Sequence, residues 1–318
     1  MAELSFTAPW LLAPMEGVTD PTFRDVVLER NPPRYLGGAF TEFLRILDRP
    51  RSEVEIQRHL GPRRWTTPVG LQLMGADLDA VARSARVATE MGVPIVDLNF
   101  GCPAKGALRG CAGSAQLKDP RGLEAVVHSV VQAVDGRVPV SAKLRAGFDH
   151  ADKVEDLVRA AEAGGANLIT LHCRTKSEGY CPEVDWTRIA RAVAAVDVPI
   201  CGNGSVQSHA DLERMRTETG CAYVMVGRGA LADPWIFSGH RASAEESACF
   251  LLDYYTAMVE SGGAPPKGAI GRIKQLLRHW TAGDLVQARR KDWLREPSPK
   301  ALLERLVRIS NGDQPPYA

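Results

Sequence analysis

The chain has 318 residues, of which 45% are hydrophobic and 24% are charged, and its formal net charge is +1. This composition is typical of a folded globular protein and excludes a largely disordered chain, while the near-zero charge means that any surface for a polyanion must be local. No apolar run approaches the roughly 18 residues of a transmembrane helix, so we expect no membrane partner.

The cysteines and the first residues bear on location. Seven cysteines, an odd number without regular spacing, indicate a reducing compartment rather than a disulfide framework. Residues 1–9 lack the basic segment and apolar core of a signal peptide, so we expect a cytoplasmic protein. The sequence has no Cys-x-x-Cys or His-x-x-x-His pair, which predicts no structural metal site.

Eight short apolar runs recur along the first part of the chain, at 10–13, 35–40, 68–73, 93–98, 138–142, 167–171, 198–201 and 222–226. Most are continuous rather than alternating, which is typical of strands buried on both faces. Amphipathic stretches lie between several of them, at 77–90, 120–134, 152–163, 186–195 and 208–219. This alternation predicts an α/β fold, a (β/α)8 TIM barrel over residues 1–242.

The remaining residues, 243–318, show helical periodicity without strand-like runs, at 245–261, 270–280, 284–294 and 299–309. This pattern predicts a small C-terminal α-helical bundle domain. Its middle has an excess of six positive charges, because Asp284 is the only acid there beside Lys267, Arg272, Lys274, Arg278, Arg289, Arg290 and Lys291. In a nearly neutral chain, such a local excess of positive charge favours a binding surface for nucleic-acid phosphates. We assign the phosphate contacts to Arg272, Lys274 and Arg278.

Barrel chemistry occurs at the carboxyl ends of the strands, and here almost every predicted strand is followed by polar residues or glycine. Cys102 follows the fourth strand, in a loop rich in glycine and alanine whose charges are Lys105 and Arg109. A thiol at a strand end beside such a loop is a candidate acid or nucleophile, although an arbitrary cysteine is more often a small core residue.

The ends of the last two strands favour a phosphate site. Gly202-Asn203-Gly204 and Gly227-Arg228-Gly229 offer unhindered backbone N–H groups and a guanidinium where barrels often hold phosphate; two ordinary glycine turns are the alternative. A mouth that also contains Lys143, Gln72 and a thiol suggests flavin mononucleotide (FMN). Lys143 would stabilise negative charge on the reduced ring, and Gln72 could bond the ring's donor and acceptor edges.

Several segments, in order along the whole chain, resemble the tRNA-dihydrouridine synthases. They are Ala13-Pro14-Met15-Glu16-Gly17-Val18-Thr19-Asp20, Thr41-Glu42-Phe43, Leu98-Asn99-Phe100-Gly101-Cys102-Pro103, Ala142-Lys143-Leu144-Arg145, His172-Cys173-Arg174-Thr175 and Gly227-Arg228-Gly229-Ala230-Leu231. The continuation Leu44-Arg45 and the tail segment Gly271-Arg272-Ile273-Lys274-Gln275 are most similar to the bacterial C subfamily. The resemblance implies an FMN-dependent enzyme that uses NADPH to reduce the C5–C6 double bond of uridine 16, in the D-loop of tRNA, to 5,6-dihydrouridine.

The resemblance also implies roles for individual residues. Cys102 would donate a proton to C5 of uracil while hydride passes from flavin N5 to C6, and Asn99 and Arg145 would hold the uracil. FMN would contact Pro14, Met15, Glu16, Gln72, Lys143, His172, Asn203, Gly204, Ser205, Gly227 and Arg228. Because a uridine in folded tRNA must turn outward to reach a barrel pocket, a second domain that orients the RNA is expected. We expect a monomer without an obligatory protein partner.

Two other classes of function are compatible with parts of this pattern. An FMN barrel that reduces a small molecule, such as a free pyrimidine or an enone, would need no basic helical tail. A non-catalytic RNA-binding protein would bind tRNA without flavin and would tolerate the loss of Cys102.

Overall fold

The computed structural model of the protein describes residues 2–104, 111–286 and 289–313. Lys105 and Arg109, the predicted charges of the Cys102 loop, lie outside the described residues. Within the described ranges, no helix is long and apolar enough to span a bilayer.

Parallel strands form one sheet that closes on itself. The strands are β1 (Trp10–Leu12), β2 (Gly38–Phe40), β3 (Leu44–Arg45), β4 (Val69–Met74), β5 (Val96–Phe100), β6 (Val140–Arg145), β7 (Leu168–His172), β8 (Ile200–Asn203) and β9 (Tyr223–Val226). β1 pairs with both β2 and β9, and β2 pairs with β4, so the sheet is a closed barrel. The predicted (β/α)8 barrel is confirmed.

The second barrel strand is divided in two, which the sequence did not predict. β2 pairs with the start of β4, and β3 pairs with its end through Leu44 and Leu73. At the break, the hydroxyl Oγ1 of Thr41 accepts the backbone N–H of Gln72 at 3.0 Å. A side chain thus replaces a backbone acceptor, and the chain can bend at Glu42 without leaving a buried N–H unpaired.

Helices cover the outside of the barrel: α1 (Pro21–Arg30), α2 (Glu53–Leu60), α3 (Leu78–Glu90), α4 (Pro120–Val134), α5 (Val154–Ala163), α6 (Thr187–Ala195), α7 (His209–Thr219) and the short α8 (Arg228–Ala232). The side chains of Asp20 and Ser208, at the N-caps of α1 and α7, accept backbone N–H groups of the first turn. Asp119 occupies the N-cap of α4, but its side chain makes no capping hydrogen bond.

The chain after the barrel is helical, as predicted. α9 (Ala244–Thr256) continues into a π-helical turn (Ala257–Ser261) and is followed by α10 (Pro266–Leu277), α11 (Arg290–Arg295) and α12 (Pro299–Ser310). The predicted helix over 284–294 is wrong at its start, because Gly283 and Asp284 have φ angles of 63° and 50°; α11 begins at Arg290, and residues 287 and 288 lie outside the described residues. These left-handed residues end a 3-10 turn (Ala282–Asp284) rather than begin an α-helix.

The helical region packs directly on the barrel. The Phe23 ring of α1 meets the rings of Phe250 and Tyr254 at centroid distances of 6.4 and 5.6 Å, in edge-on geometry. Trp280 and Trp293 are fully buried in the same continuous apolar core. Aromatic packing of this kind fixes the position of the helices relative to the barrel mouth.

Candidate active site

A cavity of about 780 Å³ opens at the carboxyl ends of the barrel strands. The predicted residues that line it are Pro14, Met15, Glu16, Asn99, Cys102, Lys143, Arg145, His172, Asn203, Gly204, Ser205, Gly227 and Arg228. Ligand cavities of parallel barrels are expected at this end, and the volume is in the range of small-molecule and cofactor sites.

The loop that carries Cys102 is held by hydrogen bonds from several elements. Asn99 Oδ1, at the end of β5, accepts the N–H groups of Gly101 at 3.0 Å and Cys102 at 2.9 Å. The carbonyl of Gly101 accepts Arg145 Nε at 2.8 Å, and the carbonyl of Cys102 accepts the Ser114 N–H at 3.0 Å. The backbone on both sides of the thiol is therefore fixed by the barrel.

Burial keeps the Cys102 thiol protonated. Desolvation raises the pKa of Cys102 above its ordinary value, and this effect outweighs the charges of Arg145 and Arg45, which lower it. A half-buried thiol with a raised pKa is suited to donate a proton and is a poor thiolate nucleophile at neutral pH.

Gln72 lies beneath the cavity rather than on its lining. The side chain is fully buried, with Nε2 donating to Asp97 Oδ2 at 2.6 Å and Oε1 accepting Asn99 Nδ2 at 2.7 Å. Gln72 therefore links Asp97 to Asn99 rather than facing the cavity.

Lys143 is a cation of the cavity lining. Its ammonium group donates to Asn203 Oδ1 at 3.4 Å, and Asn203 is itself held by a bond from Nδ2 to the carbonyl of Met225 at 2.6 Å. Desolvation, followed by the nearby charge of Arg145, lowers the pKa of Lys143 to about 8, although Asp97 opposes the shift. The ammonium is therefore charged at neutral pH but close to its titration range.

His172 is neutral and its tautomer is defined. Burial lowers its pKa well below the ordinary value, and the charges of Lys143, Arg145, Arg174 and Arg228 act in the same direction. Its Nδ1 accepts the backbone N–H of Arg174 at 3.2 Å, so the ring proton is on Nε2. His172 can therefore offer a neutral N–H donor to a ligand.

The glycines in the turns after β8 and β9 differ in how much space surrounds them. Gly204 has a φ of +131°, and a Cβ there would lie 2.5 Å from Cys173 Sγ. Ser205, also at positive φ, is held by Arg174 Nη2 at 2.6 Å from its Oγ. A Cβ on Gly227 would meet its nearest atom, Met15 Sδ, at 3.5 Å. Glycine is thus required at 204 by both conformation and space, whereas at 227 it only widens the cavity.

Tyr180, which the sequence analysis missed, covers part of the cavity. Its ring lies under two guanidinium groups, with the Cζ atoms of Arg145 and Arg228 at 5.4 and 4.5 Å from the ring centroid. It also meets His172 edge-on at 6.2 Å and is 59% exposed. An exposed aromatic ring held between cations is a suitable platform for a flat base.

The helical region also contributes to the cavity. Gln275, His279 and Thr281 line its outer part, which the sequence analysis did not anticipate.

The residues predicted to bind the RNA backbone do not line the cavity. Arg272 pairs with Asp20 at 2.6 Å, Lys274 Nζ donates to the carbonyl of Glu296 at 2.6 Å, and Arg278 is exposed.

The sequence signature of this site is that of a known family. The model of the family described as dihydrouridine synthase matches residues 11–261, which span the barrel and the start of the helical region. The chain belongs to the dihydrouridine synthase family. The resemblance found in the sequence is thereby confirmed, and the protein is an enzyme of the oxidoreductase class.

Curated relatives of this dihydrouridine synthase match most of its length. It is 36% identical over 286 residues to the tRNA-dihydrouridine(16) synthase of Aquipseudomonas alcaligenes, covering 84% of this chain and 88% of the relative. It is 31% identical over 313 residues to the probable tRNA-dihydrouridine synthase of Rhodobacter capsulatus, covering 94% of both chains.

Solved structures of other enzymes share the fold of the barrel. The 2-naphthoyl-CoA reductase superposes with a TM-score of 0.56 at 13% identity, covering 72% of this dihydrouridine synthase and 49% of the other chain. Histamine dehydrogenase from Rhizobium sp. 4-9 gives a TM-score of 0.55 at 12% identity, with 78% and 48% coverage. At such identities the similarity concerns the fold alone.

Proposed function

We propose that this dihydrouridine synthase reduces uridine 16 of tRNA to 5,6-dihydrouridine, with FMN as cofactor and NADPH as reductant. The relatives named for position 16 support the choice of substrate. The observation that carries the proposal is the half-buried thiol of Cys102 at the edge of a cavity that also contains Lys143 and Arg228.

The donor set of the cavity fits FMN. Arg228 presents a cation, and Gly227, where a Cβ would meet its nearest atom at 3.5 Å, presents unhindered backbone, as a phosphate requires. Lys143 and the Nε2–H of neutral His172 also line the cavity and would serve as donors to a flavin ring. When bound, FMN would supply the hydride for C6 of uracil.

Cys102 would hold the proton that C5 of uracil needs. Its raised pKa keeps the thiol protonated until that step, and the bonds from Asn99 and Ser114 to its backbone fix where the thiol lies. After the transfer, the nearby Arg145 would limit the cost of the thiolate, because its charge favours the ionised form.

Arg145 and Tyr180 would orient the uracil, with Asn99 as a further polar contact. Hydrogen bonds to the uracil carbonyls stabilise the enolate-like charge that develops as hydride arrives. The Tyr180 ring lies beside this position and offers a stacking surface to a base turned out of the tRNA.

The exposed cations around the mouth would bind the tRNA backbone. Arg278 is exposed and can act in this way, whereas the side chains of Arg272 and Lys274 are engaged within the protein. We therefore retain Arg278 as the strongest of the three predicted phosphate contacts. The protein is proposed to act as a cytoplasmic monomer.

A direct experiment tests the proposal. When this protein is expressed in a strain whose tRNA lacks dihydrouridine 16, the tRNA should regain the modification. The purified protein should be yellow because it contains FMN. Cys102→Ala should keep the flavin but lose dihydrouridine formation. Reduction of free uracil or enones, with no dihydrouridine in tRNA, would instead indicate a small-molecule reductase, and a colourless tRNA-binding protein would contradict both.

A further inference from the structure

A buried carboxylate lies directly beneath the floor of the cavity. Asp97, on β5, is fully buried, and its two oxygens accept one hydrogen bond each, from Ser141 Oγ and from Gln72 Nε2, both at 2.6 Å. Burial raises the pKa of Asp97 to about 6, although both hydrogen bonds and the charge of Lys143 oppose the shift. The group is therefore mostly ionised at neutral pH, despite the cost of burying it.

From Asp97 a chain of hydrogen bonds runs to the Cys102 loop. Gln72 Nε2 donates to Asp97, Asn99 Nδ2 donates to Gln72 Oε1 at 2.7 Å, and the N–H groups of Gly101 and Cys102 donate to Asn99 Oδ1. Every donor in this chain points towards Asp97.

The two ends of the chain determine this direction. Backbone N–H groups can only donate and an ionised carboxylate can only accept, whereas each side-chain amide could present either its oxygen or its nitrogen. If Gln72 or Asn99 turned over, two donors or two acceptors would face each other in a buried place, which folded proteins rarely tolerate.

We propose that Asp97 is a positioning residue for the reaction. Its carboxylate is the terminal acceptor that aligns the amides of Gln72 and Asn99, and through Asn99 it holds the backbone on which the Cys102 thiol is carried. This inference rests on the proposed function, since it concerns the same proton donor. Asp97 does not line the cavity, and it reaches the Cys102 loop through the two amides, while its charge also acts on Lys143.

The first test compares Asp97→Val, which removes both buried hydrogen bonds to Asp97, with Ser141→Ala, which removes only one of them. Asp97→Val removes the terminal acceptor with a residue that suits a strand, and kcat for dihydrouridine formation should fall up to about 100-fold. The KM for tRNA should stay within about twofold, because most RNA contacts lie outside the mouth. Ser141→Ala removes the bond that is not part of the chain, and kcat should change less than about twofold.

A second readout does not depend on catalysis. Alkylation of Cys102 by iodoacetamide can be followed in the tryptic peptide 87–105, which contains no other cysteine. In Asp97→Val the Cys102 loop is held less firmly, so the thiol should be better solvated and its pKa should fall towards the ordinary value. Alkylation of Cys102 at pH 8 should therefore be at least about threefold faster than in the wild type. Ser141→Ala should react like the wild type.

A pair of near-isosteric variants covers the possibility that Asp97→Val does not fold. Gln72→Glu places an acceptor against Asp97 and should slow turnover as strongly as Asp97→Val. In the double variant Asp97→Asn with Gln72→Glu, the new amide at position 97 can donate to the new carboxylate at position 72, whose other oxygen accepts Asn99. The double variant should recover at least about tenfold of the lost kcat, because a donor again faces an acceptor between positions 97 and 72 and the residue at 72 is no longer repelled from its place beside Asn99.

The outcomes separate this inference from the proposed function. Wild-type turnover and alkylation in Asp97→Val, or no recovery in the double variant relative to Gln72→Glu, would overturn the positioning role. If the wild-type protein formed no dihydrouridine, the proposed function would fail, and the alkylation rates would still report whether Asp97 holds the Cys102 loop.

Discussion

Arg272 was expected from charge alone to bind tRNA, but its contacts indicate that it holds the helical region on the barrel. Its guanidinium donates to Asp20 at 2.6 Å and to the carbonyl of Val18 at 3.0 Å, both in the loop after β1, and to Tyr254 at 3.2 Å and Gln275 at 2.9 Å. Arg272→Met keeps much of the side-chain length and removes all four hydrogen bonds.

The cost of this change can be worked from the contacts. A neutral hydrogen bond contributes about 1 kcal/mol and one to a charged group about 2 kcal/mol, but solvent reduces these values at partly exposed groups. The Arg272 and Asp20 side chains are 24% and 31% exposed, so we expect a total loss of about 3 kcal/mol. For a protein of this size the melting temperature should fall by roughly 4–5 °C.

Arg278→Met is the matched control, because it removes the same charge from an exposed side chain of the same region. It should change the melting temperature by less than about 1 °C and reduce the salt dependence of tRNA binding. Thermal unfolding followed by circular dichroism and filter binding at several salt concentrations measure both effects. If Arg272→Met melted with the wild type and only weakened tRNA binding, the reasoning from its contacts would be refuted.

Three further predictions concern the mouth of the barrel. Gly204→Ala should lower the free energy of unfolding, measured by urea titration, by about 2–4 kcal/mol, because the φ of +131° and the 2.5 Å approach to Cys173 Sγ both exclude a Cβ. Gly227→Ala should lower it by less than about 1 kcal/mol, and equal losses in the two variants would contradict this. Turnover should fall as pH rises through about 8, where Lys143 loses its charge, and Lys143→Arg should move this limb to higher pH; an unmoved limb would assign it to another group. Tyr180→Ala should lower kcat/KM for tRNA about tenfold and Tyr180→Phe less than threefold, since stacking needs the ring and not the hydroxyl; the reverse order would reject a stacking role.

The barrel could be predicted because its strands are continuous apolar runs, and such runs depend only on local sequence. The helix α2 was missed although its signal was present: Ser52 and Glu55 form a capping box, with Ser52 Oγ accepting the Glu55 N–H and Glu55 accepting the Ser52 N–H. The break after β2 was less accessible, because Thr41 is recognisable as a backbone substitute only when Gln72 lies beside it.

The sequence predicted most of the residues that line the site but not the contacts between them. Residues at strand ends converge by the geometry of the barrel, so their positions follow from the fold. Tyr180 is in a loop that returns over the mouth, and no local pattern predicts such a return. Charge counting could not show that Arg272 is engaged by Asp20, because ion pairing depends on residues about 250 positions apart.

One electrostatic arrangement accounts for three protonation states in the mouth. Lys143, Arg145 and Arg228 lie around His172, and together with burial they keep its imidazole neutral, so that it can donate from Nε2. Arg145 also lowers the pKa of Lys143, while Asp97 beneath the floor keeps that shift small enough for the ammonium to stay charged near neutral pH. Cys102 lies at the edge of this cluster, where desolvation exceeds the pull of Arg145 and the thiol keeps its proton. A neutral donor, a cation and a protonated acid thus coexist in one cavity, because burial favours the uncharged forms of His172 and Cys102 and only partly lowers the pKa of Lys143.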